Sequence, residues 1–472
     1  MRRHGTRSTD MPELPEVETI RRELMRTIVG KTILSPVIYY PNMVKSNLDF
    51  YIRECNNRTI IDVSRKGKFL LLDLDDRRRI LFHLRMEGKL YVVNQDSHSM
   101  SHLSLFFPFR DEDCGLAFYD VRKFGITMLL EKGESGPLAL LGKEPSEIDD
   151  PMYLYKRIHS SQKPIKELLL DQNIIAGIGN IYDSEILFRS KVSPFRKGKD
   201  VTLDECNRIL QESKTVLDEA IVHNGSTIRT YQASQKIHGS FQEFLKAYGH
   251  DDTCSSCHRF RIQKIMLGQR GTYFCPNCQH TGITIGITGK IGSGKSLATS
   301  FFKEDGFLTL SADDIVHTLY QDKDFLLKLK QRFPKVFFRG KLSKDRITSF
   351  LQEDRKFKRS YESFLFSQVR KKIEEFIIDH DGMDKAVEVP LLFDAHMEDL
   401  FTYLVGVETK FQKEHLEERG DVNIETRIRF NNLNSYDRNR DRLDYILHAD
   451  STKEYLKKQV DDLIDSIKEK QS

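Results

Sequence analysis

Apolar and polar positions change their rhythm twice along the chain. Residues 60–130 hold short apolar runs, "KFLLLDL", "ILFHL", "KLYVVN", "HLSLFF" and "LAFYD", with turns between them. Runs of this length without a helical period predict antiparallel strands. Just before them, "EVETIRRELMRTIV" places apolar residues at 17, 20, 24 and 28, a stripe along one face of a helix. Residues 150–250 turn helical in pattern, through "PIKELLLDQNIIAGIGNIYDSEILFRS" and "DECNRILQESKTVLDEAIVHNG", and the glycine-rich "AGIGN" breaks the first of these into two halves. From residue 283 the pattern changes again. "ITIGITGKIGSGKSLATSFF" reads as strand, glycine loop and helix, and "AVEVPLLF" and "YLVGVE" follow as apolar strands separated by helical stretches. That alternation predicts a parallel α/β sheet. Only "HTGI" separates the two patterns, and no repeat or low-complexity linker is present. The predicted class is multidomain, α+β followed by α/β.

Length and composition narrow the class without changing it. A chain of 472 residues is expected to form roughly two to four domains. With 39% hydrophobic and 31% charged residues it reads as soluble and globular. No apolar run reaches the about 18 residues of a membrane span, and no apolar segment follows the N-terminal arginines as in a secretory signal. A cytoplasmic protein with no membrane partner is expected. The net charge of +4 is uneven: residues 283–472 hold 33 Lys+Arg against 34 Asp+Glu, and residues 1–282 hold 41 against 36. Excess positive charge at the front suits a polyanion, and equally a solvated surface.

Of seven cysteines, Cys55, Cys114 and Cys206 are scattered, and the odd total argues against a disulfide framework. The other four form two C-x₂-C pairs, "CSSC" (Cys254, Cys257) and "CPNC" (Cys275, Cys278), 17 residues apart. Four thiolates at this spacing close a tetrahedral zinc site with no open position, which is structural; the alternative is thiols packed by chance in a core. Between the pairs, "IQKIMLGQRGTYF" reads as a hairpin with Arg270 near its tip. An arginine there suits a DNA groove or is an ordinary surface charge. Farther on, "GKIGSGKS" (Gly289–Ser296) fits the phosphate-binding loop pattern after a strand and before a helix. Glycines let backbone N–H groups cradle phosphates, Lys295 reaches the β/γ-phosphates of ATP and Ser296 holds Mg²⁺; Gly292, Ser293 and Gly294 complete the loop.

Six motifs in order, "MPELPEVE", "RKGKFLLL" (65–72), "HLRMEG" (83–88), "YDVRKFG" (119–125), "AGIGNIYDSE" (176–185) and "QRGTYFCPNCQ" (269–279), resemble the formamidopyrimidine-DNA glycosylase family. The resemblance runs from Met11 to about Gln279. It implies a β-sandwich over 11–145, a helix–two-turn–helix domain over 146–250 and a zinc finger over 251–282. It implies damaged double-stranded DNA as partner, excision of oxidised purines (8-oxoguanine and formamidopyrimidines) and lyase action at the abasic site. Pro12 is then the nucleophile, Glu13 its acid/base partner, and Lys68 a contact to phosphate and damaged base. Met86, Arg122 and Phe124 fill the gap left by the flipped nucleotide, Asn180 and Arg270 grip phosphates, and His83, His102 and Lys123 make further DNA contacts. On its own chemistry, an extruded base needs a wedge in its place, and Met, Phe and Arg suit that task; core packing is the plainer explanation for Met86 and Phe124. The glycines of "AGIGN" would free N–H groups for a phosphate or simply make a turn, and Glu16 reads as structural. The chain departs from the family at His258, where glycine is usual, in a finger loop one residue longer, and at Asp183, where a small residue is common.

Within the predicted domain 283–472, residues 284–472 resemble dephospho-coenzyme A kinase through "IGITGKIGSGKS", "SADDIVHTLY" (311–320) and "VEVPLLFD" (387–394). The family pattern of two aspartates and a histidine appears as Ser311, Asp313 and His317. Asp313 is the candidate for activating the 3′-hydroxyl of dephospho-CoA, or else a helix N-cap, and Arg427 and Arg429 are lid charges against ATP. Ser311 replaces the first aspartate, and Leu297 stands where threonine is usual. A monomer is expected.

"MRRHGTRSTD" precedes Met11 and conflicts with the role of Pro12. An α-amino group with a pKa of about 8 is partly unprotonated at neutral pH. A proline nitrogen within the chain is an amide whose lone pair is delocalised. The expectation is that translation starts at Met11 and the methionine is removed, leaving 1–10 outside the active enzyme. The other readings are a processed form, a basic DNA-binding arm, or a catalytically silent DNA-binding module carrying a P-loop kinase.

Overall fold

The computed structural model describes residues 11–95, 101–226, 239–418 and 435–471. The segment 1–10 and Arg427 and Arg429, expected as lid charges, lie outside the described residues. The chain divides into two compact units at Gly249 and His250. Among the described residues no helix is long and apolar enough to cross a membrane.

The first unit opens with helix α1 (Leu14–Ile28). Glu13 is its N-cap and forms a reciprocal capping box with Glu16, satisfying backbone donors that a helix start leaves open. Val17, Ile20, Leu24 and Ile28 are all buried, as the stripe predicts. Next come β1 (Thr32–Ile33), β2 (Val37–Ile38), α2 (Leu48–Cys55), β3 (Arg58–Lys66), β4 (Phe69–Leu74) and β5 (Arg79–His83). The strands continue with β6 (Lys89–Asn94), β7 (Leu103–Pro108), β8 (Cys114–Tyr119) and β9 (Ile126–Leu130). They form two antiparallel sheets, ordered β1-β3-β4-β5-β9 and β2-β7-β8-β6. Phe82 of one sheet stacks on Phe118 of the other at 5.9 Å and meets Phe107 edge-on, so the sandwich core is aromatic in its centre. The predicted strands are all present.

The helical half holds α3 (Met152–Ile158), α4 (Ile165–Leu169), α5 (Asn180–Arg189) and α6 (Leu203–Val222). The predicted helix before "AGIGN" is only five residues long. Gln172 ends the helical run by folding onto the following loop: its side chain accepts the Gly177 N–H at 2.9 Å and donates to the Ile178 carbonyl at 2.9 Å. Asp183, the departure from the family pattern, is fully buried and pairs with equally buried Lys166 at 3.0 Å. Each charge therefore meets its opposite, as a buried ion requires.

The second unit begins with a hairpin, β10 (Gln263–Leu267) and β11 (Arg270–Phe274). Its two turn residues, Gly268 and Gln269, have φ of 53° and 65°, the left-handed pair that suits the twist of a tight hairpin. Then follow β12 (Thr284–Thr288), α7 (Lys295–Glu304), β13 (Leu308–Ser311), α8 (Ala312–Leu319), α9 (Lys323–Arg332), β14 (Phe337–Phe338), β15 (Lys341–Leu342), α10 (Lys344–Glu353) and α11 (Arg355–Asp379). The unit ends with β16 (Lys385–Glu388), β17 (Tyr403–Glu408), α12 (Gln412–Glu418), β18 (Tyr445–His448) and α13 (Lys453–Gln471). The main sheet is parallel, ordered β13-β16-β12-β17-β18. "AVEVPLLF", predicted as one strand, stops at Glu388, because Pro390 has no N–H for the ladder.

Candidate functional site

In the first unit the site is built where α1 meets the loop before α5. Pro12 and Glu13 are both buried. The Glu13 carboxylate accepts the N–H of Gly179 at 2.8 Å, of Ile181 at 2.9 Å and of Tyr182 at 3.4 Å. It thus caps α5 from outside that helix's own sequence, and the helix dipole favours its negative charge. Leu14 N–H donates to the Gly177 carbonyl at 3.1 Å. This close approach explains both glycines: a Cβ on Gly179 would lie 2.2 Å from Glu13 Cδ, and one on Gly177 would lie 2.4 Å from Leu14 Cδ1. The "AGIGN" donors that sequence reasoning aimed at a phosphate are in part turned to a carboxylate.

Glu16 ties the same region together. It accepts from Tyr182 Oη at 2.6 Å, from Ser226 N at 2.8 Å and from Glu13 N at 3.0 Å. Burial pushes its carboxyl above the usual range while these donors pull it back. The structural role read for Glu16 is what the geometry displays.

The turn carrying Arg122, Lys123 and Phe124 stands out from the sandwich, all three exposed. Phe124 is 51% accessible, so it is not a core residue. Arg122 lies 5.0 Å from the centre of the Phe124 ring. Asp120, buried beneath, holds the loop: its carboxylate accepts the N–H of Arg122 at 2.9 Å and of Gly125 at 2.6 Å. Sequence reasoning missed Asp120, although an aspartate two residues before an exposed turn residue is an Asx-turn signal. Met86 is half-buried in the turn after β5, and His102 is exposed at φ 63°. Lys68 and His83 are more enclosed than that group. Lys68 is buried in the β3–β4 turn. His83 packs edge-on against Phe69 at 4.7 Å. Burial, with the charges of Arg85 and Lys68 adding to it, pushes the His83 imidazole down to about 3. The ring is neutral at pH 7 and accepts the Arg85 N–H at 3.1 Å. Asn180 begins α5, buried beside the Glu13 contact.

In the second unit, the sulfurs of Cys254, Cys257, Cys275 and Cys278 lie within 4.8 Å of one another. Cys254 and Cys278 are 3.8 Å apart, and Cys257 and Cys275 3.7 Å. A tetrahedron with metal–sulfur bonds of about 2.3 Å has edges of about 3.8 Å, so the four thiols fit a tetrahedral metal. His258, the other departure, sits at φ 54°, which explains why glycine is usual there. Arg270 is exposed directly after the hairpin turn, register partner of Leu267.

The phosphate loop links β12 to α7. Gly292 and Gly294 have φ of 70° and 93°, and a Cβ on Gly289 would lie 2.4 Å from the Val407 carbonyl. Lys295 begins α7 and donates to the Lys290 carbonyl at 2.9 Å. Ser293 is buried inside the loop, and Ser296 Oγ donates to Glu388 Oε1 at 3.3 Å. Glu388, at the carboxyl end of β16, was not singled out from sequence. Its register partner on β13 is Ser311. Ser311 is also the N-cap of α8, its Oγ accepting the Asp313 N–H at 3.2 Å. The capping role entertained for Asp313 therefore belongs to Ser311, and Asp313 stands exposed at the carboxyl end of the parallel sheet, where open α/β sheets bind ligands.

The sequence matches the formamidopyrimidine-DNA glycosylase N-terminal domain over residues 11–127, the H2TH domain of the same family over 141–232, and dephospho-CoA kinase over 283–455. It is 42% identical over 276 residues to a formamidopyrimidine-DNA glycosylase of Bacillus cereus, which covers 57% of this chain and 99% of the relative. A Streptococcus pneumoniae relative of the same description is 42% identical over 275 residues, with the same coverage. Among solved structures, the Lactococcus lactis formamidopyrimidine-DNA glycosylase bound non-covalently to DNA containing an abasic site superposes with a TM-score of 0.53 at 37% identity, covering 57% of this chain and 99% of that one. A Lactococcus lactis mutant in complex with Fapy-dG-containing DNA matches equally. The buried Pro12–Glu13 start held by α5, the four-thiol finger and the phosphate loop lie in the parts these relatives and domains account for, and the chain belongs to the formamidopyrimidine-DNA glycosylase family, with a dephospho-CoA kinase domain behind the glycosylase part.

Proposed function

We propose that the glycosylase part excises 8-oxoguanine and formamidopyrimidines from double-stranded DNA and cleaves the strand at the resulting site, through a Schiff base on Pro12. The observation that carries this reading is Glu13, locked by three backbone N–H groups directly beside Pro12. With Pro12 as first residue, its nitrogen is a secondary amine. The lone pair forms the N–C1′ bond, the C1′–base bond breaks, and the base leaves with a proton. The nitrogen gives up its proton and O4′ takes one as the C1′–O4′ bond opens to the iminium; loss of a C2′ proton then expels the 3′-phosphate, which cuts the strand. Glu13 serves as acid/base partner at the sugar and its charge opposes the iminium. Arg122 and Phe124, presented by the Asp120-held turn, replace the extruded nucleotide. Asn180, Lys68 and Arg270 contact phosphates.

The four thiols hold zinc as a structural ion. Exchange of Cys275 for serine is expected to remove the metal and to weaken binding of lesion duplex by about tenfold or more, since a structural zinc folds its finger. Metal analysis and a binding titration check this; full affinity in a metal-free protein would exclude a role for the finger.

The rear part phosphorylates dephospho-CoA with ATP. Gly289–Ser296 cradle the phosphates, and Ser296 with Glu388 would hold Mg²⁺, which supplies charge neutralisation on the phosphates. Two assays test the pair of activities: strand cleavage of duplex with a single 8-oxoguanine by a chain starting at Pro12, and phosphate transfer from ATP to dephospho-CoA by the full chain. Intact duplex refutes the first reading, and transfer to another acceptor in preference refutes the second.

A further inference from the structure

The finger is joined to the kinase fold by more than the chain. Gln263, at the start of β10, is buried and donates through Nε2 to Thr402 Oγ1 at 3.2 Å; the same hydroxyl accepts the Thr284 N–H at 3.2 Å. Phe260 and Tyr403 pack edge-on at 6.0 Å. At the other end of β10, the N–H of Met266 donates to Glu374 Oε1 of α11 at 3.3 Å. In the hairpin register Met266 faces Gly271, beside the closing pair Leu267 and Arg270. Alternate N–H groups of a two-stranded ribbon point away from the partner strand, so Glu374 takes an edge donor next to the turn. Glu374 is buried and is itself fixed, accepting from Arg370 Nε at 3.2 Å. Arg370 in turn forks onto Asp399 at 2.8 and 2.7 Å and donates to the His396 carbonyl at 3.1 Å.

We propose that Glu374, a residue of the kinase fold, is a positioning residue for DNA binding by the finger. Through Met266 it fixes the edge of the hairpin next to the turn and thereby sets Arg270. A carboxylate is suited to this. Its Oε1 accepts the Met266 N–H and Arg370 Nε together, and the fork onto Asp399 holds that guanidinium in place. The kinase fold then serves the glycosylase as scaffold for its finger, which gives the fusion a physical consequence that neither chemistry requires. The inference rests on the proposed role of Arg270 as a phosphate contact.

The experiment is a double-mutant cycle on the zinc-loaded full chain, with affinity for a duplex carrying a stable abasic analogue as readout. The variants are Arg270→Ala, Glu374→Ala, the double variant and Glu374→Gln. Glu374→Ala is expected to weaken binding about tenfold, the scale of losing a hydrogen bond to a charged group. The double variant should bind like Arg270→Ala alone. Glu374→Gln, which keeps an acceptor oxygen, should restore most of the affinity. Zinc content and dephospho-CoA phosphorylation should be unchanged throughout. If Arg270→Ala leaves affinity intact, the DNA-contact reading of Arg270 fails and this inference falls with it. If Arg270→Ala weakens binding but Glu374→Ala does not, or the two losses multiply, or Glu374→Ala loses zinc or kinase turnover, the inference alone is overturned.

Discussion

A chain that starts at Pro12 is expected to be trapped covalently on oxidised-guanine duplex by borohydride, and the 472-residue chain is expected to give no adduct. The difference is all or none because it is electronic. In the longer chain Met11 is bonded to the Pro12 nitrogen, and the amide delocalises the lone pair that must attack C1′. No neighbouring group restores it. Once free, that nitrogen has the pKa of an α-amino group, about 8 in the absence of perturbation, and an appreciable fraction is unprotonated at neutral pH. The surroundings are ready for it: Pro12 is enclosed, and Glu13 is fixed on the start of α5 by hydrogen bonds of 2.8 and 2.9 Å. Borohydride reduces the iminium to an amine, so the adduct survives denaturing electrophoresis. Equal trapping by both chains would show that another amine forms the Schiff base.

How far the sequence reveals this arrangement depends on how local each signal is. The α1 stripe at Val17, Ile20, Leu24 and Ile28 was legible because helical periodicity reports one buried face. The four cysteines and the phosphate loop were legible because their chemistry demands fixed spacings. Contacts across long separations were not. Nothing local to Glu13 says that its oxygens meet N–H groups 166 and 168 residues away, and nothing local to Gly179 says that a methyl group there would strike Glu13. Glu388 was hidden for the same reason, since it becomes relevant only when β16 pairs with β12 and β13 and its carboxylate reaches Ser296. The anchoring of β10 by Glu374 and Thr402 joins two segments that read as separate modules, and periodicity carries no information about which module a hairpin edge rests on. Asp120 is the intermediate case: its partners are two and five residues away, so an Asx-turn reading would have found it.

Ser311, not Asp313, caps α8, so the plainer explanation of Asp313 as a helix cap does not hold. Asp313→Asn is expected to lower phosphorylation of dephospho-CoA by about 10²-fold or more, the range of a lost general base, with ATP affinity little changed. Asp313 is the second residue of α8 and exposed, and its own N–H is capped by Ser311 Oγ. Its carboxylate is therefore not the helix cap, and amidation should leave α8 in place. It stands two residues beyond Ser311, the last residue of β13, which pairs with Glu388. Glu388 in turn touches Ser296 of the phosphate loop, so the proposed acceptor and phosphate sides share the carboxyl ends of β13 and β16. The loop proposed to hold ATP, Gly289–Ser296, is not altered by the substitution, and transfer chemistry needs a group that takes the proton of the attacking hydroxyl. Ser311→Asp should leave turnover equal or raise it, because aspartate caps a helix as well as serine does and adds a second carboxylate beside Glu388. Steady-state turnover with dephospho-CoA and an ATP binding titration on the same proteins separate the two effects. Normal turnover in Asp313→Asn would assign the base elsewhere, with Glu388 the next carboxylate along the same edge, and a parallel loss of ATP binding would place Asp313 in the nucleotide site instead.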